Sequence, residues 1–135
     1  MESQKQYKPK FSFEFFPPKT RQAVEKLQMT TERLAQLNPS FFSVTFGAGG
    51  STRERTFETV MDIFKKTGID GVPHVSCIGS TVGEIKTILD SYIEGGIRNV
   101  VALRGDLPSG SIGGGPLRYA SELVEKPAHV EFARF

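Results

Sequence analysis

The stretch that decides the fold is Asn99-Val-Val-Ala-Leu-Arg-Gly-Asp106, an apolar run whose charged residues, Arg104 and Asp106, come only at its carboxyl end. A continuous run of Val, Ala and Leu is typical of a buried parallel strand that is covered on both faces. In α/β proteins, functional residues gather where such strands end. The run by itself is equally compatible with a strand that simply enters a turn, so its meaning depends on the rest of the chain.

Three earlier parts of the chain have the same plan of a strand followed by a helix. Alternating residues predict strands over 11–16, 41–46 and 72–78, and apolar residues at helical spacing follow each of them. Proline or glycine residues end these helices, and Ser51 with Glu54 and Thr81 with Glu84 have the spacing of capping boxes. Strands that begin near residues 11, 41, 72 and 99 give a period of roughly 30 residues, which predicts parallel neighbours with right-handed crossovers.

Two architectures accept this pattern, a doubly wound open sheet and a (βα)8 barrel. The barrel is favoured because Glu14, Thr45 and His74 occupy matching strand positions on the face opposite the bulky residues, and a barrel has a polar face toward its lumen. A complete barrel needs about 250 residues. The sequence therefore predicts a half barrel over residues 11–124, a polar lead-in over 1–10 and an atypical tail over 125–135.

The composition excludes several classes of protein. The 135 residues are 38% hydrophobic and 24% charged, with a net charge of +2 that is scattered along the chain, so nothing indicates a nucleic-acid partner. One cysteine, Cys77, excludes an internal disulfide framework, and no apolar run approaches the length of a signal or a membrane helix. No zinc spacing or Ser/His/Asp order is found. We expect a cytoplasmic protein without a bound metal.

Glu14 is the most informative single residue because it is a lone carboxylate between phenylalanines. Such a group is expected to be desolvated and to hold a proton near neutral pH, as general acid catalysis requires. The alternative is a strand-end glutamate that reaches solvent or pairs with Arg104 or a lysine. His74 could contact a ligand or could be a core histidine bonded to Ser76, and Thr45 alone is only a strand threonine.

Two further segments could bind an anion. The turn Gly47-Ala-Gly-Gly-Ser-Thr52 precedes a helix, whose free N–H groups favour phosphate, but it lacks a Walker-A lysine and the G-x-G-x-x-G spacing, and a plain tight turn explains it as well. Arg104 offers a fork for phosphate or carboxylate, and Asp106 offers an acceptor beside it. The glycine-rich loop over 110–115 could be a lid or a linker.

Taken together, these residues resemble the methylenetetrahydrofolate reductase family. The resemblance covers residues 11–124 in the order of the family and rests on five motifs, which are Phe11-Ser-Phe-Glu-Phe-Phe-Pro-Pro18, Ser43-Val-Thr-Phe-Gly-Ala-Gly-Gly-Ser-Thr-Arg53, Pro73-His-Val-Ser-Cys-Ile78, Asn99-Val-Val-Ala-Leu-Arg-Gly-Asp106 and Tyr119-Ala-Ser-Glu-Leu123.

The resemblance implies a (βα)8 barrel that binds FAD and uses NAD(P)H to reduce methylenetetrahydrofolate to methyltetrahydrofolate. By position, Glu14 resembles the family's general acid, and Asp106 resembles the acidic residue near the flavin and the folate ring. The positions that match flavin contacts are Thr45, His74, Arg104, Gly105, Asp106, Tyr119 and Ala120.

The half barrel has consequences for assembly. Four strands leave two open sheet edges, which favours association, so we expect a homo-oligomer. The family's second half supplies further flavin and folate contacts, and a chain without them could be inactive alone. The alternative interpretation is a non-catalytic half-barrel fragment that acts as a binding or assembly module.

Overall fold

A computed structural model describes residues 8–46, 50–106 and 115–125. Strands and helices alternate throughout these ranges, as the sequence predicts. Their bounds are β1 Ser12–Phe15, α1 Arg21–Ala35, β2 Phe41–Val44, α2 Gly50–Thr67, β3 Gly71–Ser76, α3 Val82–Glu94, β4 Val101–Leu103 and α4 Ala120–Glu125. Outside the described residues lie positions 47–49 of the predicted turn Gly47–Thr52, most of the glycine-rich loop over 110–115 and nearly all of the tail over 125–135.

The four strands form one parallel sheet in the order β1-β2-β3-β4. This order confirms the predicted parallel βα repeat. The register corrects one detail, because Glu14 pairs with Ser43 and therefore lies one layer below Thr45 and His74. The sequence spacing alone had placed Glu14, Thr45 and His74 at matching positions, but the stagger between β1 and β2 separates them.

The bulky face of the sheet packs under the helices. Phe42, Val44, Val75 and Cys77 are fully buried there, in two apolar clusters shared with α2 and α3. The ring of Phe42 lies between two rings of β1, with centroids 6.1 Å from Phe13 and 5.7 Å from Phe15. The alternation in the sequence therefore predicts this face correctly, and burial of these side chains supplies the main stabilisation of the sheet.

The helix ends follow local capping chemistry. Thr20 caps α1 by accepting from the Ala23 N–H, and Thr81 forms a complete capping box with Glu84 at α3, as predicted. The capping box predicted for Ser51 and Glu54 stays a prediction, because the Ser51 side chain lies outside what the structure describes, and α2 is placed from Gly50. A capping residue must precede the first helical residue, and the spacing of Ser51 and Glu54 cannot by itself show where the helix starts.

The run Asn99–Asp106 is less buried than its composition predicts. Only Val101–Leu103 forms β4, and Leu103 is 38% exposed. The reason is its position, since β4 is the last strand of the described sheet and has β3 as its one neighbour there. A strand at an edge exposes side chains that a further strand or an opposite wall would cover in a closed barrel.

Candidate active site

A carboxyl group and an imidazole meet on the face of the sheet that the helices leave open, which we call the lumen face. Glu14 Oε2 of β1 lies 3.2 Å from His74 Nε2 of β3. Between them lies Ser43 of β2, which is paired with Glu14 and is 4% exposed. The structure thus brings together two of the residues predicted for the site, and the contact crosses an intervening strand.

The two partners differ in exposure. The His74 side chain is 9% exposed, whereas the Glu14 side chain is 58% exposed. The expected desolvation of Glu14 is therefore wrong for this arrangement of strands. Its flanking residues Phe13 and Phe15 point to the helix side of β1, where they pack in the core, and so they do not cover the carboxyl group.

His74 is held in its neutral form. Burial lowers the pKa of His74 below its ordinary value of 6.5, and the neighbouring carboxylate of Glu14 partly opposes this effect. Burial has the larger effect on the pKa. The loss of hydration destabilises the cationic imidazole more than the partly solvated carboxylate of Glu14 stabilises it. Near pH 7 the Glu14–His74 contact is accordingly between a carboxyl group and a neutral imidazole.

The end of β4 is fixed by hydrogen bonds to the chain that follows β3. The Arg104 carbonyl accepts from the Ile78 N–H at 2.9 Å, from the Ser76 hydroxyl at 3.1 Å and from the Cys77 thiol at 3.5 Å. Gly105 follows with φ +82°, and a Cβ atom there would overlap Ser76 Oγ. Only glycine fits this position, because a side chain would meet both an unfavourable φ and an occupied space.

Other residues predicted for the site lie at the carboxyl ends of the strands. The side chains of Arg104 and Asp106 are exposed beyond β4, and Thr45 follows β2 at half-buried exposure. Tyr119, which is 62% exposed, and the half-buried Ala120 lie at the start of α4, a helix that packs against β4. Parallel strands end at one edge of the sheet, so Thr45, Arg104 and Asp106 lie at the edge toward which β3 continues beyond His74.

The sequence interpretation missed two residues that shape this site. Ser43 separates the Glu14 and His74 strands, and Ser76 both bonds the Arg104 carbonyl and fills the space beside Gly105. The alternation in β2 and β3 places both serines on the lumen face. The signal was therefore present, but a serine in a strand carries no functional indication until its neighbours across the sheet are known.

Metal and membrane features are not found in the described part of the chain. Residues 8–46, 50–106 and 115–125 contain no group of three His, Cys, Asp or Glu side chains that could hold a metal ion. Within the same ranges, no helix has both the length and the apolar character needed to cross a membrane.

A parallel sheet whose strands follow the order of the chain, with helices packed on one face and polar side chains on the other, is the arrangement of a (βα)8 barrel. Comparison with known proteins narrows this class to one family. The model of the family described as methylenetetrahydrofolate reductase matches residues 1–129, and the chain belongs to that family. The family has a (βα)8-barrel fold, of which the four βα units form about half.

Individual relatives agree with this assignment. The chain is 48% identical to 5,10-methylenetetrahydrofolate reductase of Escherichia coli (strain K12) over 113 residues, which are 84% of this chain and 38% of the relative. It is 52% identical over 95 residues to the protein of the same name from Buchnera aphidicola subsp. Acyrthosiphon pisum, covering 70% of this chain and 32% of that relative. The similarity extends to plants, with 41% identity over 100 residues to methylenetetrahydrofolate reductase (NADH) 1 of Arabidopsis thaliana, covering 74% of this chain and 17% of that relative.

Proposed function

We propose that this chain carries the general acid and part of the flavin site of a barrel that reduces methylenetetrahydrofolate to methyltetrahydrofolate with NAD(P)H. The observation that carries the proposal is the placement of Glu14 beside His74 on the lumen face, in a chain that belongs to the reductase family. The chain spans 38% of the length of its Escherichia coli relative. The remaining strands of the barrel would supply the other contacts to both substrates.

The donor set at the carboxyl edge of the sheet fits FAD. Thr45 and His74 offer hydrogen-bonding groups for a polar ring, the exposed guanidinium of Arg104 suits an anionic group such as a diphosphate, and the exposed ring of Tyr119 offers an aromatic surface. Gly105 and Ala120 add backbone groups without bulky side chains. FAD, when bound, supplies a carrier of hydride between the nicotinamide and the folate.

Two carboxyl groups would have different tasks. Glu14 would give a proton to a bridge nitrogen of methylenetetrahydrofolate, which opens the methylene bridge to an electrophilic iminium. Its exposed position on the lumen face leaves it accessible to such a substrate. Asp106, exposed beyond β4, would place a negative charge near the cationic iminium and so favour its formation.

The proposal extends to the setting of the enzyme. We expect a cytoplasmic protein of one-carbon and methionine metabolism, because the folate and nicotinamide substrates are small and soluble. We also expect a homo-oligomer, since the open lumen face and the outer edges at β1 and β4 of the sheet, as far as the structure describes it, offer backbone and apolar groups for association.

The first test is flavin retention. The purified chain is mixed with FAD, freed of excess ligand by gel filtration, and examined by absorption spectroscopy and light scattering on the same sample. Bound flavin that bleaches with NADH or NADPH supports the proposal, and the faster of the two shows which nicotinamide is preferred. Colourless protein would contradict flavin binding by this chain and would favour the alternative of a non-catalytic half barrel that serves as a binding or assembly module.

The second test separates the two half-reactions. In a preparation that retains flavin, Glu14→Gln should lower folate reduction by about 10²- to 10⁴-fold, the usual contribution of a general acid. Nicotinamide oxidation with a quinone acceptor should stay near the unmodified rate, because that half-reaction needs no proton from Glu14. Glu32→Gln, an exposed glutamate of α1, is the matched control and should change neither rate. Equal loss of both activities in Glu14→Gln would remove Glu14 from the acid role.

A further inference from the structure

The contact between Glu14 and His74 spans two strand spacings. Neighbouring strands lie about 4.8 Å apart, so side chains of β1 and β3 meet only if both are long and lean over β2. Glu14 is level with Ser43 and Val72, and His74 lies two residues further along β3. The 3.2 Å contact therefore crosses β2 diagonally, from the level of Ser43 to the level of Thr45 on the same face.

Ser43 makes this crossing feasible because its side chain is small. It lies on the lumen face between the two partners and is almost fully buried. A branched or longer side chain at this position would occupy the space that the carboxyl group and the imidazole share. The contact thus depends on three residues from three successive strands.

The surroundings of His74 favour a hydrogen-bonding role over a charged one. On β2 the neighbouring lumen-face residues are Ser43 and Thr45, and on β4 the paired residue is Val101, none of which is ionisable near neutral pH. Glu14 is the group whose charge acts on His74, while Arg104 and Asp106 lie beyond the end of β4. A neutral imidazole can orient a carboxyl group without the fixed positive charge that would oppose proton uptake.

We propose that His74 is a positioning residue for Glu14, which holds the carboxyl group over the lumen face across the small side chain of Ser43. This inference rests on the proposed function for the role of Glu14 as an acid, but the contact itself is independent of flavin and folate. The resemblance to the family assigns His74 only to flavin binding. Under this proposal His74 also contacts Glu14, and so it links the flavin-binding residues to the general acid.

The test is an NMR titration of the His74 imidazole in the chain without ligands. The sequence has two histidines, and His129→Gln leaves His74 as the single signal. Glu14→Gln should shift the titration of His74 to lower pH, because the carboxylate favours the protonated imidazole. An unchanged titration would overturn the inference, whether or not the chain binds flavin.

Substitutions of Ser43 test the geometry without touching either partner. Ser43→Val should shift the His74 titration to lower pH, as Glu14→Gln does, because the larger side chain separates the pair. Ser43→Ala keeps the small size and should leave the titration unchanged. If both variants behave alike, the dependence on Ser43 is wrong. Ser43→Thr provides a second enlarged side chain should Ser43→Val fail to fold, with circular dichroism as the check.

Activity then tests the consequence in a preparation that reduces folate. His74→Gln retains a donor near the position of Nε2, and His74→Leu removes it. Folate reduction at saturating substrate should fall at least 10-fold further in His74→Leu than in His74→Gln, measured relative to the quinone-linked half-reaction of the same variant. A failure of flavin binding would contradict the proposed function but would leave the titration result valid. An equal ratio in the two variants would overturn the positioning role.

Discussion

The two faces of the sheet are built from alternate residues of the same strands, yet they differ in polarity and in what covers them. On the helix side, Phe42, Val44 and Val75 are fully buried among apolar neighbours. On the lumen side, the side chain of Glu14 is 58% exposed, and Phe16, just beyond β1, is 81% exposed. The helix face is an apolar core, whereas the lumen face combines the exposed carboxyl group of Glu14 with the nearly buried Ser43 and His74.

In the described chain, the helix face of the sheet is packed, whereas the carboxyl group on the lumen face is exposed. A βα unit buries one face of its strand under its own helix, so that core is complete within the described chain. The other face needs an opposite wall, which in a closed barrel comes from distant strands. The packing of the helix face is therefore present in the described chain, whereas a cover for the lumen face would have to come from further strands.

The largest effect should come from a core substitution on the helix face. Phe42→Ala removes a fully buried ring between Phe13 and Phe15 and should lower the free energy of unfolding by about 3–5 kcal/mol. Urea denaturation followed by circular dichroism measures it. Phe16→Ala, the same change at an 81% exposed side chain, should cost less than about 0.5 kcal/mol. Similar losses at both positions would remove the contrast between the faces.

A second effect tests the tight packing at the end of β4. Gly105→Ala introduces a Cβ at φ +82° that overlaps Ser76 Oγ, and it should destabilise the chain by about 1–3 kcal/mol. Gly83→Ala in α3 is the control, because no atom lies within 4 Å of a Cβ there, and it should stabilise by about 0.5–1 kcal/mol. Adding Ser76→Gly to Gly105→Ala should recover part of the loss in urea denaturation, and no recovery would mean that the overlap is unimportant.

A third effect concerns the stability of helix α3 and leaves the residues of both sheet faces unchanged. Thr81→Ala removes the capping box of α3 and should cost about 1 kcal/mol of unfolding free energy in thermal or urea denaturation. Thr87→Ala, at an exposed position within the same helix, should change stability by less than about 0.5 kcal/mol. If the two variants have equal free energies of unfolding, the capping box does not stabilise α3.

The smallest effect is the pH dependence contributed by the lumen face. Because the pKa of His74 is lowered in the folded chain, the unfolded chain binds more protons as the pH falls below about 6.5. Stability contributed by neutral His74 is therefore complete above that pH and is lost toward acid. Urea denaturation at pH 7 and pH 5 should show a smaller decrease for His74→Gln than for the unmodified chain. An equal decrease would show that other groups cause the acid sensitivity.

Alternation and periodicity were sufficient to predict the helix face. The positions of Phe42 and Val44 in β2, and of Val75 and Cys77 around β3, follow from a period of two residues, which does not depend on how the strands are aligned. The four βα units and their parallel order follow in the same way from spacing along the chain. The buried positions depend on neighbouring residues, and the βα units repeat at a fixed interval, so both can be predicted from a single sequence.

The lumen face could be predicted only in part because its contacts depend on register. The sequence indicated that Glu14 and His74 share a face, but the stagger that brings their side chains together over Ser43 is a property of three strands. The exposure of Leu103 likewise depends on what lies beyond β4. Neither quantity is encoded in the spacing of residues within one strand.

The fixed peptide at Arg104 has a consequence for the carboxyl group that follows it. Three donors hold its carbonyl, and Gly105 is wedged against Ser76, so the main chain leading to Asp106 has little freedom to shift. These contacts set the direction in which the main chain leaves β4, and the exposed Asp106 carboxyl group keeps only its own side-chain rotations. The position at which Asp106 begins is therefore determined by its hydrogen-bonded neighbours at the end of β3 as much as by β4 itself.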